Sequence, residues 1–214
     1  MKQKETWIGT DESGKGDYFG PLVIAGVCLN KSIGEDLAAS GVKDSKKMAD
    51  KKIIAMAPLI RQRALSAEVV VIGPEKYNEL YQKMKNLNSL LAWGHARVIE
   101  NILSKVDCHY ALTDQFGDKI VVERALMSRG KQVTLEQRPR AEEDIAVAAA
   151  SVLARAEFLS RLESLSRKEE TLLPRGASEQ VILAAKGFFK KKGIEGLGRV
   201  AKLHFKTTQA VLGK

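Results

Sequence analysis

Cysteine is nearly absent from this 214-residue chain: only Cys28 and Cys108 are present, each in an apolar, strand-like run. Buried reduced thiols fit that setting better than a disulfide or a metal site. Histidine is equally scarce, with three residues scattered along the sequence, so no zinc-binding pattern can be written. No stretch approaches the ~18 uninterrupted apolar residues of a membrane span, and Met1-Lys2-Gln3-Lys4-Glu5 lacks the apolar run of a signal peptide. These absences predict a cytoplasmic protein with no membrane partner. A strongly basic amphipathic helix with an aromatic face is also missing. Residues 186–192 come closest, and Phe188 and Phe189 there read as ordinary packing. Internal repeats, low-complexity tracts and linkers are absent too.

What is present suits a folded core and a charged partner. With 44% hydrophobic and 29% charged residues the chain can bury a core as one large domain. Lys and Arg number 35 against 26 Asp and Glu, a formal net charge of +9. Such an excess attracts phosphate backbones, although basic proteins need not bind them.

The most informative stretch is Gly9-Thr10-Asp11-Glu12-Ser13-Gly14-Lys15-Gly16-Asp17-Tyr18-Phe19-Gly20. Neighbouring Asp11 and Glu12 point to opposite faces of an extended chain, so both serve one site only where the strand ends and twists. Gly14, Gly16 and Gly20 permit that geometry. With Lys15 between two glycines, the turn can approach a polyanion that a bulkier loop would hold off. A tight hairpin with solvated acids also fits these residues. Tyr18 and Phe19 read as packing beside the turn, with stacking near the site as the alternative.

The remaining pattern alternates strands and helices. Strands are predicted at residues 22–29, 67–72, 108–113 and 132–137, and helices at 50–63 (with Pro58 as a kink or break), 75–84, 88–103, 118–130, 145–165 and 178–192. Residues 30–41 form a short helix or loop, and 193–198 a breaker region. A last short helix within 197–211 carries Lys202, His204 and Lys206. This is an α/β arrangement. Asp114 falls at the C-terminal end of a compact apolar strand, where open α/β sheets keep their ligands, although a turn acid also fits. Glu142, Glu143 and Asp144 precede a helix of small apolar residues, and Asp144 reads as its cap.

Four carboxylates converging without histidine or cysteine suit hard divalent cations such as Mg²⁺. Two such ions, about 3.5–4 Å apart, would clamp an in-line phosphoryl displacement. A basic protein with an acidic centre is consistent with that chemistry.

These residues resemble the ribonuclease HII and HIII family, and HIII more closely. Asp11 to Pro21 is similar to the HIII form of the first motif, with Asp17-Tyr18-Phe19 as its distinguishing part. Asp44-Ser45-Lys46-Lys47 resembles the Asp-Ser-Lys element. Residues 90–100, with Trp93 and His95, resemble the HIII helix that packs near the site. Thr113-Asp114-Gln115-Phe116 and Arg140-Ala141-Glu142 resemble the third-acid and fourth-acid motifs. Residues 146–151 are similar to the small-residue helix, and Leu173-Pro174-Arg175-Gly176 and Ala201-Lys202-Leu203-His204-Phe205 complete the pattern.

The resemblance implies an RNase H-like fold, with a mixed central β-sheet flanked by helices and a helical C-terminal part. It implies hydrolysis of the RNA strand of RNA/DNA hybrids with two Mg²⁺ or Mn²⁺ ions, leaving 5′-phosphate and 3′-hydroxyl ends. A monomer is expected. Asp11, Glu12, Asp114 and Glu142 are then the catalytic and metal-binding residues, and Gly14, Lys15, Gly16, Ser45 and Lys46 the substrate-binding ones. Lys47, Lys202 and Lys206 are secondary candidates for phosphate. Two departures accompany the match. Few residues precede the first strand, where HIII proteins carry a TBP-like substrate-binding domain, so residues 1–214 are expected to be the catalytic domain alone. The segment from Arg140 to Ser151 is slightly short, which leaves Glu143 open beside Glu142. The rival readings are incision at single ribonucleotides, a catalytically silent hybrid-binding module, and hydrolysis of an unrelated phosphoester.

Overall fold

Strand β1 (Thr6–Ser13) lies at the centre of a five-stranded sheet with β2 (Leu22–Asn30), β3 (Ser66–Ile72), β4 (Tyr110–Asp114) and β5 (Thr134–Arg138), in the order β3-β2-β1-β4-β5. The sheet is mixed; β1 and β4 run parallel, as do β4 and β5. The computed structural model describes residues 6–115, 117 and 119–213. Phe116 and the expected helix start at Asp118 lie outside them. The helices are α1 (Lys31–Ala39), α2 (Asp50–Arg63), α3 (Pro74–Met84), α4 (Leu87–Leu103), α5 (Lys119–Ala125), α6 (Ile145–Lys168), α7 (Glu179–Val200) and α8 (Lys206–Leu212). No described helix is long and apolar enough to cross a membrane.

The chain divides into two compact units. One holds the residues up to Glu12 with Ile24–Val70 and Asn86–Ala156; the other holds Ser13–Val23, Val71–Lys85 and the chain from Glu157 onward. In the first unit, glycine and alanine let helices lie directly on strands. A Cβ on Gly9 would stand 2.2 Å from the Val147 backbone nitrogen and 2.3 Å from the Ala146 carbonyl carbon, so β1 and α6 touch backbone to backbone. That contact is why the first half of α6 is built of small residues. Helix α4 packs on β2 in the same way: Cβ atoms on Gly26 and Gly94 would meet Val98 Cγ1 at 2.3 Å and Ile24 Cδ1 at 2.6 Å. Its N-terminus is capped by Asn86, whose side chain accepts from the Asn88 and Ser89 N–H groups. Pro58 neither breaks nor ends α2, which buries Ile53, Met56, Ala57 and Ile60 along one face.

In the second unit, Tyr18 and Phe19 are fully buried, as expected of packing residues. Tyr18 N–H donates to Gly176 O (2.9 Å), Gly20 N–H to Val200 O (2.8 Å) and Lys202 N–H to Tyr18 O (2.9 Å), which binds the glycine-rich turn to the C-terminal loops. Two expectations need correction here. The breaker region shrinks to Gly193 (φ 67°, ψ −170°), with helical backbone on both sides as far as Val200. Lys202 and His204 precede α8 rather than lying on it.

Candidate active site

Parallel pairing of β1 with β4 sets Thr10 opposite Thr113, so Asp11 and Asp114 follow side by side on adjacent strands. Asp114 ends β4, whereas β1 runs on to Ser13, which corrects the expectation that Asp11 and Glu12 stand where the strand ends. Asp114 in turn sits opposite Arg138 at the end of β5. The chain then turns through Arg140, in the left-handed region at φ 56°, into a single 3-10 turn, Ala141–Glu143. Asp114 Oδ1 accepts from the Ala141 N–H at 3.3 Å, which fixes that turn against the end of β4. Beneath it, Ala141 packs with Leu112, Val147 and Tyr110. Glu142 is half-buried and Glu143 exposed. The Asp144 side chain accepts from the Ala146 N–H (2.8 Å) and from Trp7 Nε1–H (3.0 Å), the capping role expected of it.

Asp11 and Glu12 are both half-buried. Burial raises the Asp11 carboxyl well above the usual aspartate range, and the Glu12 and Asp114 charges add to this. The Glu12 N–H, donating to Asp11 Oδ1 at 2.8 Å, and the Lys46 ammonium pull it back only in part. Lys46 reports the same convergence from the other side. Partial burial disfavours its charge, but Asp11, Asp44, Glu142 and Asp114 outweigh that and raise the ammonium above the ordinary lysine value. Glu143 is not among those charges. Lys46 stands on a short 3-10 turn, Ser45–Lys47, held at two points: Asp44 Oδ1 accepts from the Lys46 N–H (3.1 Å), and Ser151 Oγ on α6 accepts from the Ser45 N–H (2.9 Å).

Every one of these residues belongs to the first unit. The candidate donor set, Asp11, Glu12, Asp114 and Glu142, fits hard cations because it is all oxygen, and three of its members, Asp11, Asp114 and Glu142, act on the Lys46 ammonium. Among the described residues no three Asp, Glu, His or Cys side chains stand close enough as placed to hold an ion. Coordination would therefore require carboxylates to turn inward.

Gly14, Lys15 and Gly16 belong to the second unit. Gly14 is required by packing: its φ is +86°, and a Cβ would stand 2.2 Å from Pro21 O and 2.8 Å from Phe158 Cδ2. Alanine at Gly14 should therefore cost stability as well as any effect on the site. Gly16 is exposed with nothing near a Cβ, and Lys15 is half-buried. Asp17 Oδ1 accepts from the Gly176 N–H at 2.7 Å, which ties the turn to the Leu173-Pro174-Arg175-Gly176 loop. Lys47 and Lys206 are exposed. Lys202 is 0% exposed, so it cannot present its ammonium to a phosphate from the surface, and its secondary candidacy is withdrawn.

His95 is the residue beside the candidate acids whose place reasoning from sequence left undefined. It is fully buried on α4; its Nδ1 lies 2.8 Å from Thr10 Oγ1 and 3.4 Å from Thr113 Oγ1, and its Nε2 lies 3.3 Å from Glu12 Oε2. Two signals were available: a Thr-Asp pair on each of two strands, and a lone histidine on an apolar helix.

The model of the family described as Ribonuclease HII matches residues 8–208. A ribonuclease HIII from Protochlamydia amoebophila is 50% identical over 207 residues, 97% of this chain and 68% of that protein. One from Chlamydia pneumoniae is 44% identical over 203 residues, covering 94% and 68%. Among solved structures, the fold is similar to Bst-RNase HIII in complex with Mn²⁺, with a TM-score of 0.90, 31% identity, and coverage of 99% of this chain and 71% of that one.

Proposed function

Since the chain belongs to the ribonuclease HII family, we propose that residues 1–214 act as a ribonuclease H catalytic domain that hydrolyses the RNA strand of RNA/DNA hybrids with Mg²⁺ or Mn²⁺. The observation that carries the reading is that Asp11 and Asp114 follow the register partners Thr10 and Thr113 on adjacent strands, with the turn that carries Glu142 tied to Asp114 through the Ala141 N–H. Asp11, Glu12, Asp114 and Glu142 would hold two divalent ions. Such ions supply charge neutralisation at the scissile phosphate and activation of water for in-line attack. Glu142 is preferred to Glu143 because it is the half-buried acid of the pair and the one whose charge reaches Lys46. The four acids come from one chain, so the reading needs no partner subunit and is consistent with a monomer. An RNA/DNA hybrid substrate implies action in the cytoplasm.

This chain's own groups do the rest. Asp114 holds the fourth-acid turn through the Ala141 N–H. The Ser45 turn, fixed by Asp44 and Ser151, presents Lys46 as a cation beside the acids, where it can meet a backbone phosphate. The Lys15-Gly16 turn, a few residues beyond Glu12, would follow the RNA strand and reach 2′-hydroxyls, the groups that separate RNA from DNA. Gly14 gives that turn its shape.

The decisive assay offers a uniform RNA/DNA hybrid and a DNA duplex with a single ribonucleotide, each with and without Mg²⁺ or Mn²⁺. Divalent-dependent cleavage of the hybrid at many positions, leaving 5′-phosphates, is expected. Incision only at the single ribonucleotide would replace this substrate assignment, and binding without cleavage under any metal would end it. Lys46→Ala tests the phosphate contact: hybrid binding should weaken and the slope of log affinity against log salt should fall by about one. An unchanged slope would remove Lys46 from the interface.

A further inference from the structure

We propose that His95 is the positioning residue of the acidic site, a buried imidazole that sets the orientation of Glu12 and locks together the strands carrying Asp11 and Asp114. The inference rests on the reading of those acids as the metal-binding set. Its basis is three contacts of the ring, one with a site acid and two with residues that immediately precede one. Thr10, 2.8 Å from Nδ1, comes just before Asp11; Thr113, 3.4 Å from the same nitrogen, comes just before Asp114; and Glu12 Oε2 is 3.3 Å from Nε2. Thr10 and Thr113 are themselves register partners across β1 and β4, so one ring spans the pair at the point where both strands deliver their acids.

A carboxylate can only accept, so the ring proton is assigned to Nε2, which stands in close polar contact with Glu12 Oε2 rather than in a formed hydrogen bond, and the acceptor role toward the Thr10 hydroxyl to Nδ1. One Glu12 oxygen is thereby held toward α4, and the rest of the carboxylate is aimed in one direction. Helix α4 is rigidly seated for this task, because Gly94, the residue before His95, packs against Ile24 and a Cβ there would stand 2.6 Å from Ile24 Cδ1. A histidine donating to a carboxylate that itself binds a cation works as an outer partner: it raises the definition of the ligand without touching the ion.

Two independent readouts test the assignment. Imidazole ¹⁵N shifts of the metal-free parent should show Nε2 protonated and Nδ1 as an unprotonated acceptor; the opposite tautomer would overturn the proposal with no variant needed. Mn²⁺ binding, measured by calorimetry without substrate, should weaken about tenfold or more in His95→Leu. His95→Gln, whose amide can donate to Glu12, should recover part of the loss. Should His95→Leu fail to fold, His95→Gln decides, with binding as weak as in Asp11→Asn counting against positioning through a hydrogen bond. Binding abolished by Asp11→Asn but within twofold of the parent in His95→Leu overturns this inference alone. A parent chain that binds no Mn²⁺ overturns the metal-site reading and takes this one with it.

Discussion

Asp11→Asn and Asp114→Asn are each expected to cut hybrid cleavage by roughly a thousandfold or more, about 4 kcal/mol of transition-state stabilisation, while leaving the fold intact. Both substitutions keep the side-chain shape and the hydrogen bonds that matter for folding, because an amide oxygen can still accept from the Glu12 N–H at residue 11 and from the Ala141 N–H at residue 114. What they remove is charge. Burial and the charges of Glu12 and Asp114 oppose the ionised form of Asp11, so the metal-free Asp11→Asn variant should melt no lower than the parent. The cation-dependent part of stability should behave in the opposite way. Added Mn²⁺ raises the parent's melting temperature by mass action, and either variant should lose most of that rise. Near-parent hydrolysis by one variant would take that residue out of the site. A metal-free melting point far below the parent would mark it as structural.

Much of the sheet was legible because its strands carry strong local signals. The apolar run at residues 22–29 became β2, the valine run became β3 one residue longer at its start, and Asp114 ends β4 as expected. Failures came where a distant side chain decides a boundary. The helix expected over 118–130 stops at Ala125 because the Glu100 carboxylate, on α4, accepts from the Arg129 and Gly130 N–H groups at 3.1 and 2.9 Å and draws that segment into a turn. The last strand consequently starts at Thr134. No window of local sequence contains Glu100 together with Arg129. Likewise Gly193 alone breaks the helix, whereas Gly196 is buried and helical.

For the candidate site, spacing and residue type put the acids forward but could not say what holds them. That Glu142 and not Glu143 shares the field of Lys46 follows from the phase of the turn after Arg140, whose positive φ no propensity argument gives for an arginine. The glycines show the reverse problem. Gly14 read as a permissive residue, yet it, like Gly9 and Gly26, exists because another group occupies the place of a Cβ.

Lys202 gives the clearest pH signature, and its sign can be worked out. Its ammonium is buried under the glycine-rich turn, with Nζ donating to Gly20 O at 2.7 Å and standing 5.8 Å from the centre of the Tyr77 ring. Burial pulls its pKa down to about 7, against a partial upward push from Asp17; an unfolded lysine titrates near 10.4. Below pH 7 both states carry the proton, and the folded chain bears the whole cost of burying it. Between pH 7 and about 10 the folded lysine is neutral while the unfolded one stays charged, so stability rises with pH by at most ~1.4 kcal/mol per unit. Other groups facing Lys202 should not reverse this trend: burial and the neighbouring Tyr81 keep the Tyr77 hydroxyl neutral, and burial and Lys202 itself keep His204 deprotonated through the same range. Lys202→Met keeps length and apolar contact but cannot titrate. The difference in unfolding free energy between parent and variant, measured by denaturant at pH 7, 8 and 9, should move in the parent's favour by about 2 kcal/mol in total. Parallel curves would show that Lys202 keeps its proton in the fold, held there by the carbonyls of Phe19 and Gly20.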